Sequence, residues 1–204
     1  MRPVDDHDPS GSSAGQPYGP SPADSRYACG VSLRCFLGHG ASGTSASMAP
    51  FVAGLRARGI EAIAIDLPRR KAEDALPAFH LVVPSGAEIA IGGQSYGGRV
   101  ASLAAAEPGA SVAGLVLFSY PLHPPGSPDR TAARIAHWPA IRCPVLLLSG
   151  EADPFARLDL LRAAVSSLAR SDLVTYPRLG HTLKPVLDDA LDRTAQFLLG
   201  LPVD

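Results

Sequence analysis

A serine hydroxyl is a poor nucleophile at neutral pH. It needs a base within hydrogen-bond reach, and that base needs an acid to orient it. Ser95, His181 and Asp153 are residues of these three types. Ser95 lies in Ile91-Gly92-Gly93-Gln94-Ser95-Tyr96-Gly97-Gly98-Arg99. A mostly apolar run at 87–91 leads in and a small-residue helical stretch at 100–107 leads out, which predicts a sharp strand-to-helix turn with Ser95 at its tip. Gly93 and Gly97 let strand and helix approach where a Cβ would clash, the arrangement of a nucleophile elbow. The helix that follows aims its first N–H groups at the same point, which suits a developing negative charge. Gly11-Ser12-Ser13-Ala14-Gly15 fits the same G-x-S-x-G pattern, but with no strand before it and no helix after it.

Asp153 follows Gly150-Glu151-Ala152, a few residues beyond an apolar strand at 145–148, and His181 follows Leu179-Gly180 just past a short strand at 173–176. Both therefore fall on loops at carboxyl ends of strands, where a doubly wound sheet gathers its site. Glu151 competes with Asp153 for the acid role, and Asp153 is preferred because it stands further out on the loop. Asp153 could also simply cap the next helix. Of the 6 histidines, His7 lies in the amino-terminal segment, His80 keeps helical spacing with Leu76, Phe79 and Val83 and is expected to be a core or boundary residue, and His137 has no adjoining strand end. That leaves His181 as the base.

Gly38-His39-Gly40-Ala41-Ser42-Gly43 follows a strand at 34–37 and precedes a helix. The backbone N–H near Ala41 and that of Tyr96 are the expected oxyanion donors. His39 is expected to brace this loop, with substrate contact as the alternative. His123 is placed either against the acyl pocket or as a stiffener of a proline-rich excursion at 120–130. The six residues also spell G-x-G-x-x-G, with Asp66 closing the next strand, a dinucleotide-binding pattern. Against it, no tyrosine has a lysine four residues on, the only lysines being Lys71 and Lys184, and no length remains for a substrate domain.

Positioning these residues requires alternating strands and helices. From about Tyr27 the pattern predicts an α/β domain over 27–204, a doubly wound, mostly parallel sheet of about six strands with helices on both faces and little or no lid. Residues 1–26, rich in Pro, Ser and Gly, are expected to be a disordered tail. A net charge of -1 gives no footprint for nucleic acid. There is no apolar run long enough for a membrane span, nor a signal-peptide core near Met1. Three cysteines without C-x-x-C spacing suggest reduced thiols and a cytoplasmic location. No metal or organic cofactor is implied, and the expected partner is a small acyl substrate. Oligomeric state is not legible.

The order Ser95, Asp153, His181, with steps of 58 and 28 positions, is that of the α/β-hydrolases. With the elbow, Tyr120-Pro121-Leu122-His123-Pro124-Pro125-Gly126, Gly150 to Phe155 and His181-Thr182-Leu183-Lys184-Pro185, the chain resembles a small α/β-hydrolase group related to dienelactone hydrolase. That group includes testis-expressed hydrolase-like proteins and a nonspecific-lethal chromatin complex subunit. The resemblance runs from about Leu33 to Leu199. It implies an α/β-hydrolase fold with a triad on Ser95, Asp153 and His181. Gln94 and Tyr96 depart from the group's usual Gly-Lys-Ser-Met-Gly-Gly-Arg elbow. The function expected is hydrolysis of a small ester or thioester by an activated serine. The alternatives are a non-catalytic binding domain of the same fold and, last, a dinucleotide-binding oxidoreductase.

Overall fold

The computed structural model describes Met1 and residues 32–202. The predicted tail at 1–26, the second G-x-S-x-G match, His7, Cys29 and the domain start near Tyr27 therefore lie outside the described residues, apart from Met1. Within 32–202 the strands are β1 (Arg34–Gly38), β2 (Glu61–Ile65), β3 (Gly86–Gln94), β4 (Val112–Phe118), β5 (Val145–Gly150) and β6 (Ser171–Tyr176). The helices are α1 (Ala49–Arg56), α2 (Ala72–Val82), α3 (Tyr96–Ala105), α4 (Thr131–Ile135), α5 (Leu158–Val165) and α6 (Leu187–Leu199).

All six strands run parallel in the order β2-β1-β3-β4-β5-β6. A parallel sheet is covered on both faces, so its central strands read as continuous apolar runs rather than alternating ones. The six residues of β5, Val-Leu-Leu-Leu-Ser-Gly, are all buried, as are the last six of β4. One face packs Phe36, Ile91, Leu115, Leu117 and Leu147 against α2, α3 and α5, and the other packs Leu37, Val116, Phe118 and Leu148 against α1 and α6. The amphipathic stripe of α6, buried at Ala190, Leu191, Thr194, Ala195 and Leu198, seals the second core.

The sheet order turns back at β1 and β3. From β1 the chain goes outward to β2, then returns across the sheet to β3. That reversal places the loop after β1 beside the loop after β3, the crevice in which open α/β sheets form their sites.

Helix α2 departs from its predicted phase. Its buried residues are Ala72, Ala75 and Phe79, so His80 is exposed rather than packed and pairs with Glu107 at 2.7 Å. Alanines carry little hydrophobic signal, and the larger Leu76 drew the expected stripe one position too far round. The excursion at 120–130 begins inside the protein, since Tyr120 to His123 are buried, and continues into α4 and a 3₁₀ turn at Trp138–Ala140.

Candidate active site

Ser95 connects β3 to α3 with φ 51° and ψ -108°, a conformation that side-chain-bearing residues seldom adopt. Such strain costs on the order of 1–3 kcal/mol and persists only where the surroundings hold it. The surroundings here are glycines. A Cβ on Gly97 would overlap the backbone of Gly38, and one on Gly93 would strike the Gly38 carbonyl. Gly93 also has φ 155°, at the edge of the left-handed range that favours glycine. Strand β1, strand β3 and helix α3 thus meet backbone to backbone, locked by the Gly97 amide donating to the His39 carbonyl at 2.9 Å and the Ser95 amide to the Phe118 carbonyl at 2.9 Å.

The Ser95 hydroxyl lies 2.9 Å from His181 Nε2, and His181 Nδ1 lies 2.7 Å from Asp153 Oδ2. The Asp153 side chain is fully buried, and its other oxygen, Oδ1, accepts the Phe155 amide at 2.8 Å. A carboxylate with both oxygens engaged accepts from an Nδ1–H, which leaves Nε2 as the acceptor facing the serine. Glu151 is turned away and accepts the Thr175 hydroxyl at 2.8 Å. The His181 loop is set by β5, because at Gly150 a Cβ would meet the Leu179 and Gly180 carbonyls and the Ala152 amide donates to Leu179 at 2.9 Å.

The chain belongs to the alpha/beta hydrolase family. The model of the alpha/beta hydrolase domain matches residues 33–198. None of the curated proteins compared with the chain matches it. Among solved structures, a Paleococcus ferrophilus monoacylglycerol lipase superposes with a TM-score of 0.70 at 15% identity, over 81% of this chain and 93% of that one. Ferulic-acid-bound Est1E from Butyrivibrio proteoclasticus gives 0.68 at 17%, over 82% and 88%. Dienelactone hydrolase from Anabaena variabilis gives 0.62 at 21%, over 85% and 88%. At these identities the likeness is one of fold.

In this hydrolase the loop after β1 forms a turn in which the Gly43 amide donates to the Gly40 carbonyl at 2.9 Å, with Ala41 exposed at its tip. Tyr96 opens α3, so its amide is one of the helix's unpaired first donors. Its phenol donates to the Pro68 carbonyl at 2.7 Å, and burial raises the phenol's pKa.

His39 and His123, the two candidate substrate contacts, are both 2% exposed and have both ring nitrogens occupied. In each, Nδ1 meets the next residue's carbonyl, Gly40 at 2.8 Å and Pro124 at 2.9 Å. In each, Nε2 accepts a backbone amide from a distant loop, Leu67 at 3.0 Å and Arg157 at 3.3 Å. They staple site loops and have no atom free for a substrate. Asp66, the acid of the dinucleotide pattern, instead holds the Ser45 amide and hydroxyl at 2.6 and 2.8 Å, which lowers its pKa.

One neighbour of the site escaped the sequence reading. Phe155 packs against His181 with ring centroids 4.3 Å apart and planes tilted by 38°, and its position two residues after Asp153 was the available signal. Arg99, one turn into α3, joins Glu73 of α2 and the Arg134 carbonyl of α4, while Ser102 meets His137 Nε2 at 2.9 Å. Together these tie the excursion to the helix that carries Ser95. Among the described residues no helix is long and apolar enough to cross a membrane, and no group of His, Cys, Asp and Glu could hold a metal ion.

Proposed function

We propose that the chain is a serine hydrolase that cleaves a small carboxylic ester or thioester. The observation that carries this reading is the continuous run of hydrogen bonds from Ser95 through His181 to buried Asp153. Ser95 Oγ attacks the carbonyl carbon while its proton passes to His181 Nε2. The tetrahedral oxyanion is held by the Ala41 and Tyr96 amides. Collapse expels the alcohol or thiol, which takes the proton from His181. Water, deprotonated by His181, then releases the acyl group and restores the serine. Every proton is accounted for without a metal or organic cofactor.

The connection between β4 and β5 supports a small substrate. It holds only α4 and short 3₁₀ turns, and its first residues are buried, so it offers little apolar cover for a long acyl chain. The Tyr120 to Gly126 string supports a place within the dienelactone-hydrolase-related group named above. Free, buried Cys35 and Cys143 fit a cytoplasmic setting.

A fluorophosphonate tests the proposal. Labelling at Ser95, located by mass spectrometry and lost in Ser95→Ala and His181→Ala, is the expected result. Folded wild-type protein that resists labelling refutes it and leaves a non-catalytic binding domain as the reading.

A further inference from the structure

After β2 the chain reads Pro68-Arg69-Arg70-Lys71, three consecutive cations. All three residues are exposed, and none of them forms a salt bridge among the described residues. The nearby carboxylates are engaged elsewhere or unpaired: Asp66 with Ser45, Glu73 with Arg99, and Asp74 exposed in the first turn of α2.

Stability does not account for these charges. Lys71 is the N-cap residue of α2, where the helix dipole disfavours cations, and like charges on successive residues repel. Their backbone, however, is fixed to the site at two points. The Leu67 amide donates to His39 in the oxyanion loop at 3.0 Å, and Tyr96, the residue after Ser95, donates its hydroxyl to the Pro68 carbonyl at 2.7 Å. The Arg70 amide also closes a turn on Pro68 at 2.8 Å. Unpaired cations on a segment pinned beside a nucleophile raise the local concentration of anions and can grip a carboxylate or phosphate oxygen.

We propose that this cationic loop binds an anionic group of the substrate, a carboxylate or a phosphate carried on the acyl or the leaving-group side of the scissile carbonyl. The preferred substrates are then anionic esters or thioesters. The inference rests on the serine hydrolase reading and narrows it.

Two matched pairs test it and separate the two sources of charge. p-Nitrophenyl hydrogen succinate against p-nitrophenyl butyrate places a carboxylate on the acyl side. S-acetyl phosphopantetheine against S-acetyl pantetheine places a phosphate on the leaving group. In one pair kcat/KM is expected to favour the anionic member by about tenfold or more, a preference that shrinks in high salt. The ratio falls towards unity in Arg69→Gln/Arg70→Gln, and Arg69→Lys/Arg70→Lys restores a good part of it. No anionic preference in either pair, or one unchanged in the Gln variant, overturns the proposal. If neither pair is turned over and Ser95 resists fluorophosphonate, the hydrolase reading has failed on its own. Calorimetric binding of monomethyl succinate and phosphopantetheine then decides: binding lost in the Gln variant upholds the anion site, and no binding refutes it.

Discussion

Replacing Asp153 by Asn keeps the shape of the side chain and changes what its two heads can do. In the native site Oδ1 accepts the Phe155 amide at 2.8 Å and Oδ2 accepts from His181 Nδ1 at 2.7 Å, with no exposure to water. An amide has one acceptor and one donor head. If its oxygen faced His181, its NH₂ would confront the Phe155 N–H in a closed site, at about 1–3 kcal/mol for the unmet donors. The favoured arrangement keeps the oxygen on Phe155 and donates NH₂ to Nδ1. His181 then carries its proton on Nε2, pointing at Ser95, and cannot accept the serine proton. The expected loss is about 10³–10⁴ in kcat, or about 4–5.5 kcal/mol on the barrier, with the fold retained. Hydrolysis of p-nitrophenyl acetate measures it, beside a thermal melt and a Glu151→Gln control expected to remain close to wild type. A folded Asp153→Asn enzyme keeping more than a tenth of the activity would refute the tautomer argument.

Other perturbations reach different parts of the structure. Gly97→Ala forces a Cβ onto the Gly38 backbone, which cannot step aside, so denaturant melts are expected to show a loss of roughly 3 kcal/mol or more; Gly40→Ala, with nothing within 4 Å of the added carbon, stays within about 0.5 kcal/mol. Burial and then Arg99 hold His137 neutral, down to a pKa of about 4 from 6.5. Because the folded-state value is depressed, its neutral contact is fully stabilising above pH 6.5 and is undermined as pH falls towards 4. The full shift would amount to roughly 3 kcal/mol, cut by solvent screening to about 1–2, so urea midpoints of wild type and His137→Gln are expected to differ in slope across pH 6.5–4. Burial raises Cys35 to about 12 and Cys143 to about 11, so peptide mapping after maleimide treatment is expected to find both unmodified until the protein is unfolded.

The β3–Ser95–α3 unit was legible because its signals agree: a continuous apolar run, then glycines at spacings that only a backbone-to-backbone contact requires. What the sequence could not show is the partner of that contact. Gly97 and Gly93 close on Gly38, more than fifty residues earlier, which turns an ambiguous G-x-G-x-x-G into a packing site. Asp153 and Glu151 lie two apart on one loop, and only Thr175 on β6 and Phe155 on the loop itself reveal which is turned inward. An imidazole that binds substrate and one that staples two peptide groups have the same letter and the same loop context, so the sequence left His39 and His123 between bracing and substrate contact, and their occupied ring nitrogens decide for bracing. His80 was misplaced because the stripe of α2 that meets the core is made of alanines.

Strand β6 lies at the sheet's edge and pairs with β5 alone, and most of its residues are only partly buried. The histidine is borne on the loop that leaves it. A local opening that peels this strand from β5 would carry off His181 while leaving the other five strands, with both cores' central residues, in register. On the proposed mechanism, inactivation would be a sub-global event, available at a free energy below that of complete unfolding. In mild denaturant activity would vanish while circular dichroism still reports a folded sheet, and amide exchange along 171–176 would follow the activity rather than the melt.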